Sequence, residues 1–220
     1  MTQKLLPSNY LFRFCLPCRH APKAGQADCP VLDESYTIPQ LGALDDSPSY
    51  AQVRLAWSAA GLTLNLRVSG KKEGLHFALR DMLLSDCIQL FIDSRDTHNV
   101  HRASRFCHRF AFIAKDGQNL KSRPAGYLLA INRARESPRP IPEQSLKTQV
   151  TLEDGGYLLQ GTIPAAAITG FDPAEHPRLG IFYHVHDAEL GPQSLTLNRD
   201  FSILEDPSLW SSLELLPANG

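Results

Sequence analysis

Val53-Arg54-Leu55-Ala56-Trp57-Ser58-Ala59-Ala60-Gly61-Leu62-Thr63-Leu64-Asn65-Leu66-Arg67-Val68 is the stretch on which the fold turns. Val53, Leu55 and Trp57 fall on one face, and Gln52 and Arg54 on the other, the two-residue alternation of a half-buried strand. Ala59-Ala60-Gly61 reads as a tight connection. Beyond it Leu62, Leu64, Leu66 and Val68 alternate with Thr63, Asn65, Arg67 and Ser69. The two runs predict a β-hairpin with one apolar face.

The same alternation recurs along the chain. Asp86 to Asp93 places Ile88, Leu90 and Ile92 on one face, and Phe106 to Ile113 carries Phe106, Phe110 and Phe112. Ser145 to Leu152 and Tyr157 to Ile163 flank Asp154-Gly155-Gly156, which predicts a second hairpin. Arg178 to His186 alternates again, with weaker strand signals at Tyr10 to Leu16 and Leu195 to Asn198. Leu75 to Leu84 has near-helical apolar spacing, and Ala165 to Ile168 reads as one helical turn. Glu136 to Pro142 is a proline-rich loop.

In 220 residues there are 14 glycines and 16 prolines, which leaves little room for long helices. The expectation is an all-β chain: one domain over 1–220, built as a two-sheet antiparallel β-sandwich of immunoglobulin-like or jelly-roll-like form, with one or two short peripheral helices. With 22 basic against 23 acidic side chains, the chain lacks the cationic excess that a nucleic-acid partner requires. No apolar run is long enough to span a bilayer, so no membrane partner is expected. Five cysteines, an odd number, and no recognisable signal peptide suggest a reduced, cytoplasmic setting.

Val53-Arg54-Leu55-Ala56-Trp57, then Gly61-Leu62-Thr63-Leu64, then Asp86-Cys87-Ile88-Gln89-Leu90-Phe91-Ile92-Asp93, then Gly156-Tyr157-Leu158-Leu159 running into Ile163-Pro164, resemble carbohydrate-binding module family 9 and the related DOMON-like β-sandwiches. The resemblance covers about residues 51–187, with strands before and after it completing the sheets. It implies a non-catalytic module for a saccharide or other polyol, a sugar clamped between two loop tryptophans, and structural calcium. The chain's two tryptophans are Trp57 and Trp210. Trp57 lies on the apolar face of its strand, the position of a buried anchor; Trp210, in a turn near the C-terminus, is placed either as a stacking platform or as an aromatic plug.

Asp93 to Arg109 is the densest polar segment, with four arginines, three histidines and two aspartates in 17 residues. A loop at a sheet edge displays such groups while its strands stay fixed. Arg95, His101, Arg102, Arg105 and His108 are the candidate ligand-binding residues, with Trp57 or Trp210 as the stacking face; His98 stands beside them. The competing reading is a solvated connection in which Arg95 and Arg102 neutralise Asp93 and Asp96.

His184-Val185-His186-Asp187 projects two imidazoles from one face of a strand, with Asp187 as a third ligand for a zinc-like ion. This trio carries the alternative function, a metal-dependent enzyme with a histidine cluster; a protein-interaction module is the third. Asp187 and Glu189 with Asp206 are candidate carboxylates for calcium. Cys15, Cys18, His20 and Cys29 are a further set for zinc, against a default of free thiols. No catalytic motif is present: there is no nucleophile elbow, Walker loop or His-Glu-x-x-His.

Overall fold

The expected hairpin forms at residues 51–69, with Val53 opposite Leu66 and Leu55 opposite Leu64. Its turn requires glycine at 61, where φ is +133° and a Cβ would lie 2.1 Å from the Ile163 carbonyl oxygen.

The computed structural model describes residues 10, 12–28, 30–41, 49–78, 80–115, 125–142, 144–196 and 201–218. Within these are eleven strands: β1 (Cys15–His20), β2 (Ala51–Ser58), β3 (Gly61–Ser69), β4 (Cys87–Asp93), β5 (Cys107–Ile113), β6 (Ala125–Leu129), β7 (Lys147–Glu153), β8 (Gly156–Pro164), β9 (Arg178–Asp187), β10 (Gly191–Ser194) and β11 (Ser211–Leu215). The chain is all-β, and the only helical elements among the described residues are single 3-10 turns.

The strands form one continuous sheet in the order β6-β5-β4-β9-β11-β1-β2-β3-β8-β7, with β10 on β9. This differs from the two separate sheets of the expected sandwich. The joint is β1: Cys15 to Cys18 pair in parallel with β11, and Arg19 and His20 pair in parallel with β2. The sheet curls so that strands distant in its order meet across the core. A Cβ added at Gly161 of β8 would stand 2.8 Å from the Phe112 ring of β5. Between them lie Leu55, Leu64, Leu66, Ile88, Leu90, Phe110, Leu159, Ile181 and Tyr183, all fully buried. Each such side chain contributes roughly 1.5–3 kcal/mol by leaving water.

Two local expectations change. The polar face of the first hairpin is covered by the arm at 21–38: Gly25 N donates to Thr63 Oγ1 at 3.0 Å, Leu32 N to Asn65 Oδ1 at 2.7 Å, and Arg54 Nη1 to the Leu32 carbonyl at 2.7 Å. Residues 75–84 are not a helix; only Met82–Leu84 makes a 3-10 turn. Side chains divert the backbone donors there, since His76 N donates to Asp86 Oδ2 and Ala78 N to Ser85 Oγ instead of to carbonyls four residues back. The turn at Ala165–Ala167 forms as read, whereas the strand expected at 195–198 lies partly outside the described residues and β10 precedes it. No helix among the described residues is long and apolar enough to cross a membrane.

Candidate functional site

The β4–β5 connection starts from a buried aspartate. Asp93 Oδ1 accepts from Arg95 N at 3.0 Å and Oδ2 from Thr97 N at 2.8 Å, an Asx turn that swings the chain outward. Burial pushes the Asp93 carboxyl up, and these backbone donors oppose the shift. Asp96 follows at φ +49°, a left-handed conformation that aspartate tolerates better than most residues.

The turn presents two histidines, each bonded to a carboxylate and to a hydroxyl from the far end of the chain; the carboxylate is the neighbouring Asp96 for His98 and the distant Asp206 for His101. His98 Nε2 lies 3.1 Å from Asp96 Oδ1 and 3.0 Å from Ser212 Oγ, while Ser212 Oγ donates to Asp96 Oδ2 at 2.8 Å. His101 Nδ1 lies 3.0 Å from Asp206 Oδ2 and 3.1 Å from Ser208 Oγ. Carboxylates only accept, so the proton sits on Nε2 of His98 and on Nδ1 of His101. The His101 side chain is 77% exposed, and with the proton on Nδ1 its Nε2 is an acceptor.

Both histidines line a cavity of about 430 Å³. Its other wall comes from the N-terminal segment: Tyr10 and Phe12, both exposed, and Arg13, which pairs with no carboxylate among the described residues. The Tyr10 ring stacks on Phe201 at 5.2 Å between centroids, which fixes its plane. Ser208, Ser211 and Thr196 add hydroxyls, and Trp210 forms the floor. Exposed aromatic faces beside donors and acceptors suit a ligand with alternating apolar and hydroxyl surfaces.

Sequence reasoning placed His101 and Trp210 at this site and missed Tyr10, Phe12 and Arg13. The signal for those three was an aromatic run, Tyr10 to Phe14, read only as a weak strand. Trp210 is a plug and not an exposed platform: it is 1% exposed, its Nε1 donates to the Ile203 carbonyl at 2.7 Å, and its ring packs 5.5 Å from Phe91. Trp57 is half-buried away from the cavity, its Nε1 donating to the Leu216 carbonyl at 2.9 Å and its ring edge-on to His20.

The remaining candidates in the 93–109 segment are held by the fold. His108 is fully buried: its Nε2 accepts from Thr169 N at 2.8 Å, and its ring stacks on Phe110. Burial pulls its pKa down to about 4, so it is neutral and offers no donor to a ligand. Arg95 donates to the Gly170 carbonyl at 2.6 Å and lies over the Phe106 ring, where the exposed Arg105 joins it. Arg102 is exposed and bonded to the Arg133 carbonyl at 3.0 Å.

The metal trio is not assembled. His184 Nδ1 bonds Ser194 Oγ at 2.9 Å, and His186 Nδ1 bonds the Ser85 carbonyl at 3.1 Å. Asp187 grips the Lys71 ammonium with both oxygens at 2.8 Å. The carboxylates considered for calcium do not fit that ion either: Asp187 and Glu189 are taken by Lys71 and backbone amides, and Asp206 by Ser208 and His101. Cys15 and Cys18 point to opposite sides of β1, one exposed and one buried, as residues three apart on a strand must, and Cys29 lies outside the described residues. No group of three or more His, Cys, Asp or Glu side chains among the described residues is arranged to hold a metal ion.

No protein-family model matches the sequence, and no curated protein matches it. Among solved structures, the chain is similar to a carbohydrate-binding module of family 9 from Caldicellulosiruptor kristjanssonii in complex with cellotriose, at TM-score 0.58 and 13% identity over 94% of this chain and 100% of that one. A family 9 module from the same organism in complex with glucose matches at TM-score 0.58 and 14% identity, over 93% of this chain and 98% of that one. The likeness is one of fold, and it agrees with the resemblance carried by the strand pattern of residues 51–187.

Proposed function

We propose that the chain is a non-catalytic saccharide-binding module, a single domain over residues 1–220 whose curled sheet works as a sandwich. The sugar sits in the cavity between Tyr10-Phe12-Arg13 and the His98–His101 turn. The observation that carries this reading is the pairing of exposed aromatic rings with hydrogen-bonding side chains around about 430 Å³, on a fold shared with carbohydrate-binding modules. Tyr10 and Phe12 would stack against the apolar faces of sugar rings. His101, Arg13 and Ser208 would meet the hydroxyls.

The family 9 neighbours are complexes with cellotriose and glucose, so these two sugars are the first probes. Isothermal titration of the whole chain with cellotriose should give saturable binding, and Tyr10→Ala and Phe12→Ala should each weaken it at least tenfold. Titration without heat or saturation for either sugar would count against the reading, as would full affinity in the Tyr10→Ala, Phe12→Ala double variant.

A further inference from the structure

Away from the Tyr10 cavity, three segments bring a lysine and two aspartates together out of water: Lys71 after β3, Asp86 before β4 and Asp187 at the end of β9. Lys71 Nζ lies 2.8 Å from both oxygens of Asp187 and 3.2 Å from Asp86 Oδ2. The Lys71 side chain is 3% exposed, and neither aspartate side chain has any exposed surface. Tyr157 is fully buried beside them; burial, and then the charges of Asp86 and Asp187, push its phenol up.

One carboxylate neutralises one ammonium, so the second buried acid is more than an ion pair needs. An amine, a carboxyl group and an acid–base group in contact are the set that amide condensation needs. The two oxygens of Asp187 are held differently. Oδ1 accepts from the backbone amides of Glu189 at 3.0 Å and Leu190 at 2.9 Å, a pair of donors suited to developing negative charge, whereas Oδ2 is met by Lys71. Asp86 is anchored through Oδ1 by Ala188 N at 2.9 Å and through Oδ2 by His76 N at 3.0 Å, which keeps Oδ2 beside Nζ. Burial works against the Lys71 charge, and the bonds to Asp187 and Asp86 outweigh it and hold its pKa up, so the ion pair is the starting state. Passing one proton from Nζ to Asp86 creates the amine without moving net charge out of the cluster.

We propose that Lys71 and Asp187 condense into an intramolecular isopeptide bond, with Asp86 as proton carrier and the Glu189 and Leu190 amides as oxyanion donors. Asp86 Oδ2 takes a proton from the ammonium, and the amine attacks Asp187 Cγ to form the N–C bond. Oδ1 carries the charge of the tetrahedral intermediate. The Cγ–Oδ2 bond then breaks as Asp86 returns its proton to Oδ2. Two of the three ammonium protons leave with Oδ2 as water, the third stays on the amide nitrogen, and Asp86 ends as it began. One positive and one negative charge disappear together, and no oxidant, reductant or co-reactant is consumed. Held in contact by the fold, the two groups react as parts of one molecule. The bond joins residues 116 apart in the chain.

Intact-mass spectrometry of the purified whole chain, denatured before injection, tests the proposal. The wild-type chain should weigh one water less than its sequence, and protease digestion should yield one branched peptide joining the Lys71 and Asp187 segments. Asp187→Ala should have its full sequence mass, whereas Asp187→Asn should lose ammonia instead of water, because nitrogen is then the leaving group. Asp86→Asn should slow the condensation at least tenfold. The wild-type mass and the branched peptide decide the matter even if a variant fails to fold. A wild-type chain at full sequence mass would overturn the proposal, as would a water loss with Lys71 and Asp187 on separate peptides; an undiminished rate in Asp86→Asn would remove Asp86 as proton carrier and overturn the mechanism.

Discussion

Lys71 Nζ lies 2.8 Å from both carboxylate oxygens of Asp187, with Asp86 Oδ2 at 3.2 Å and Glu189 Oε2 at 3.8 Å. Both aspartates are fully buried, and the backbone amides of His76, Ala188, Glu189 and Leu190 donate to them or adjoin them in the same turn. The cluster ties the segment after β3 to the start of β4 and to the β9–β10 turn. Lys71→Met strands two buried carboxylates without a counter-charge, so unfolding free energy should fall by about 3–5 kcal/mol in urea denaturation. A loss below about 1 kcal/mol would mean that the backbone amides alone sustain the carboxylates.

His108 gives the fold an acid sensitivity. Its folded pKa of about 4 lies below the ordinary value near 6.5, so between those limits the unfolded chain binds more protons than the folded one. Stability from this residue is complete above about pH 6.5 and is lost as pH falls toward 4, to a total of about 3 kcal/mol. His108→Gln keeps an acceptor for Thr169 N and cannot titrate. Its unfolding free energy should decline less steeply than wild type over the same range; an unchanged slope would remove His108 as the source.

Trp210 and Tyr10 border one cavity in opposite roles. Trp210→Ala should cost about 3–5 kcal/mol of stability, because it empties a fully buried site. Tyr10→Ala should change stability by only about 0.5 kcal/mol, since the ring is an exposed one at the chain's edge. Thermal or urea unfolding of the two variants separates them, and equal losses would contradict the assignment of floor and platform.

The face-to-face approach of β5 and β8 rests on Gly161. A methyl there would meet the Phe112 ring at 2.8 Å, so Gly161→Ala should destabilise by about 1–3 kcal/mol. The double variant Gly161→Ala, Phe112→Leu should recover part of that loss, and failure to do so would place the strain elsewhere.

The two hairpins were legible because their turns and their alternation are local: Ala59-Ala60-Gly61 and Asp154-Gly155-Gly156 set register within a few residues. The sheet's continuity was not, because it depends on β1 pairing in parallel with β11 some 200 residues away, which no local pattern encodes. The site divides in the same way. His98 and His101 stood out as polar residues in a displayed turn, but their partners Asp206, Ser208 and Ser212 arrive only through the fold. Trp210 looked like a turn residue until the 201–210 segment was seen packed over Phe91. His108 lay in the same polar segment as its exposed neighbours, and its place in β5, buried against Phe110 and bonded to Thr169 N, sets it apart.

The most direct test of saccharide binding is a backbone amide NMR titration of the isotopically labelled chain with cellotriose. Shift changes should concentrate at Tyr10, Phe12, Arg13, His98, His101 and residues 208–211, which line the Tyr10 cavity, and should vanish in Tyr10→Ala, Phe12→Ala. Spectra unmoved at saturating sugar, or changes clustered away from those segments, would contradict the assignment.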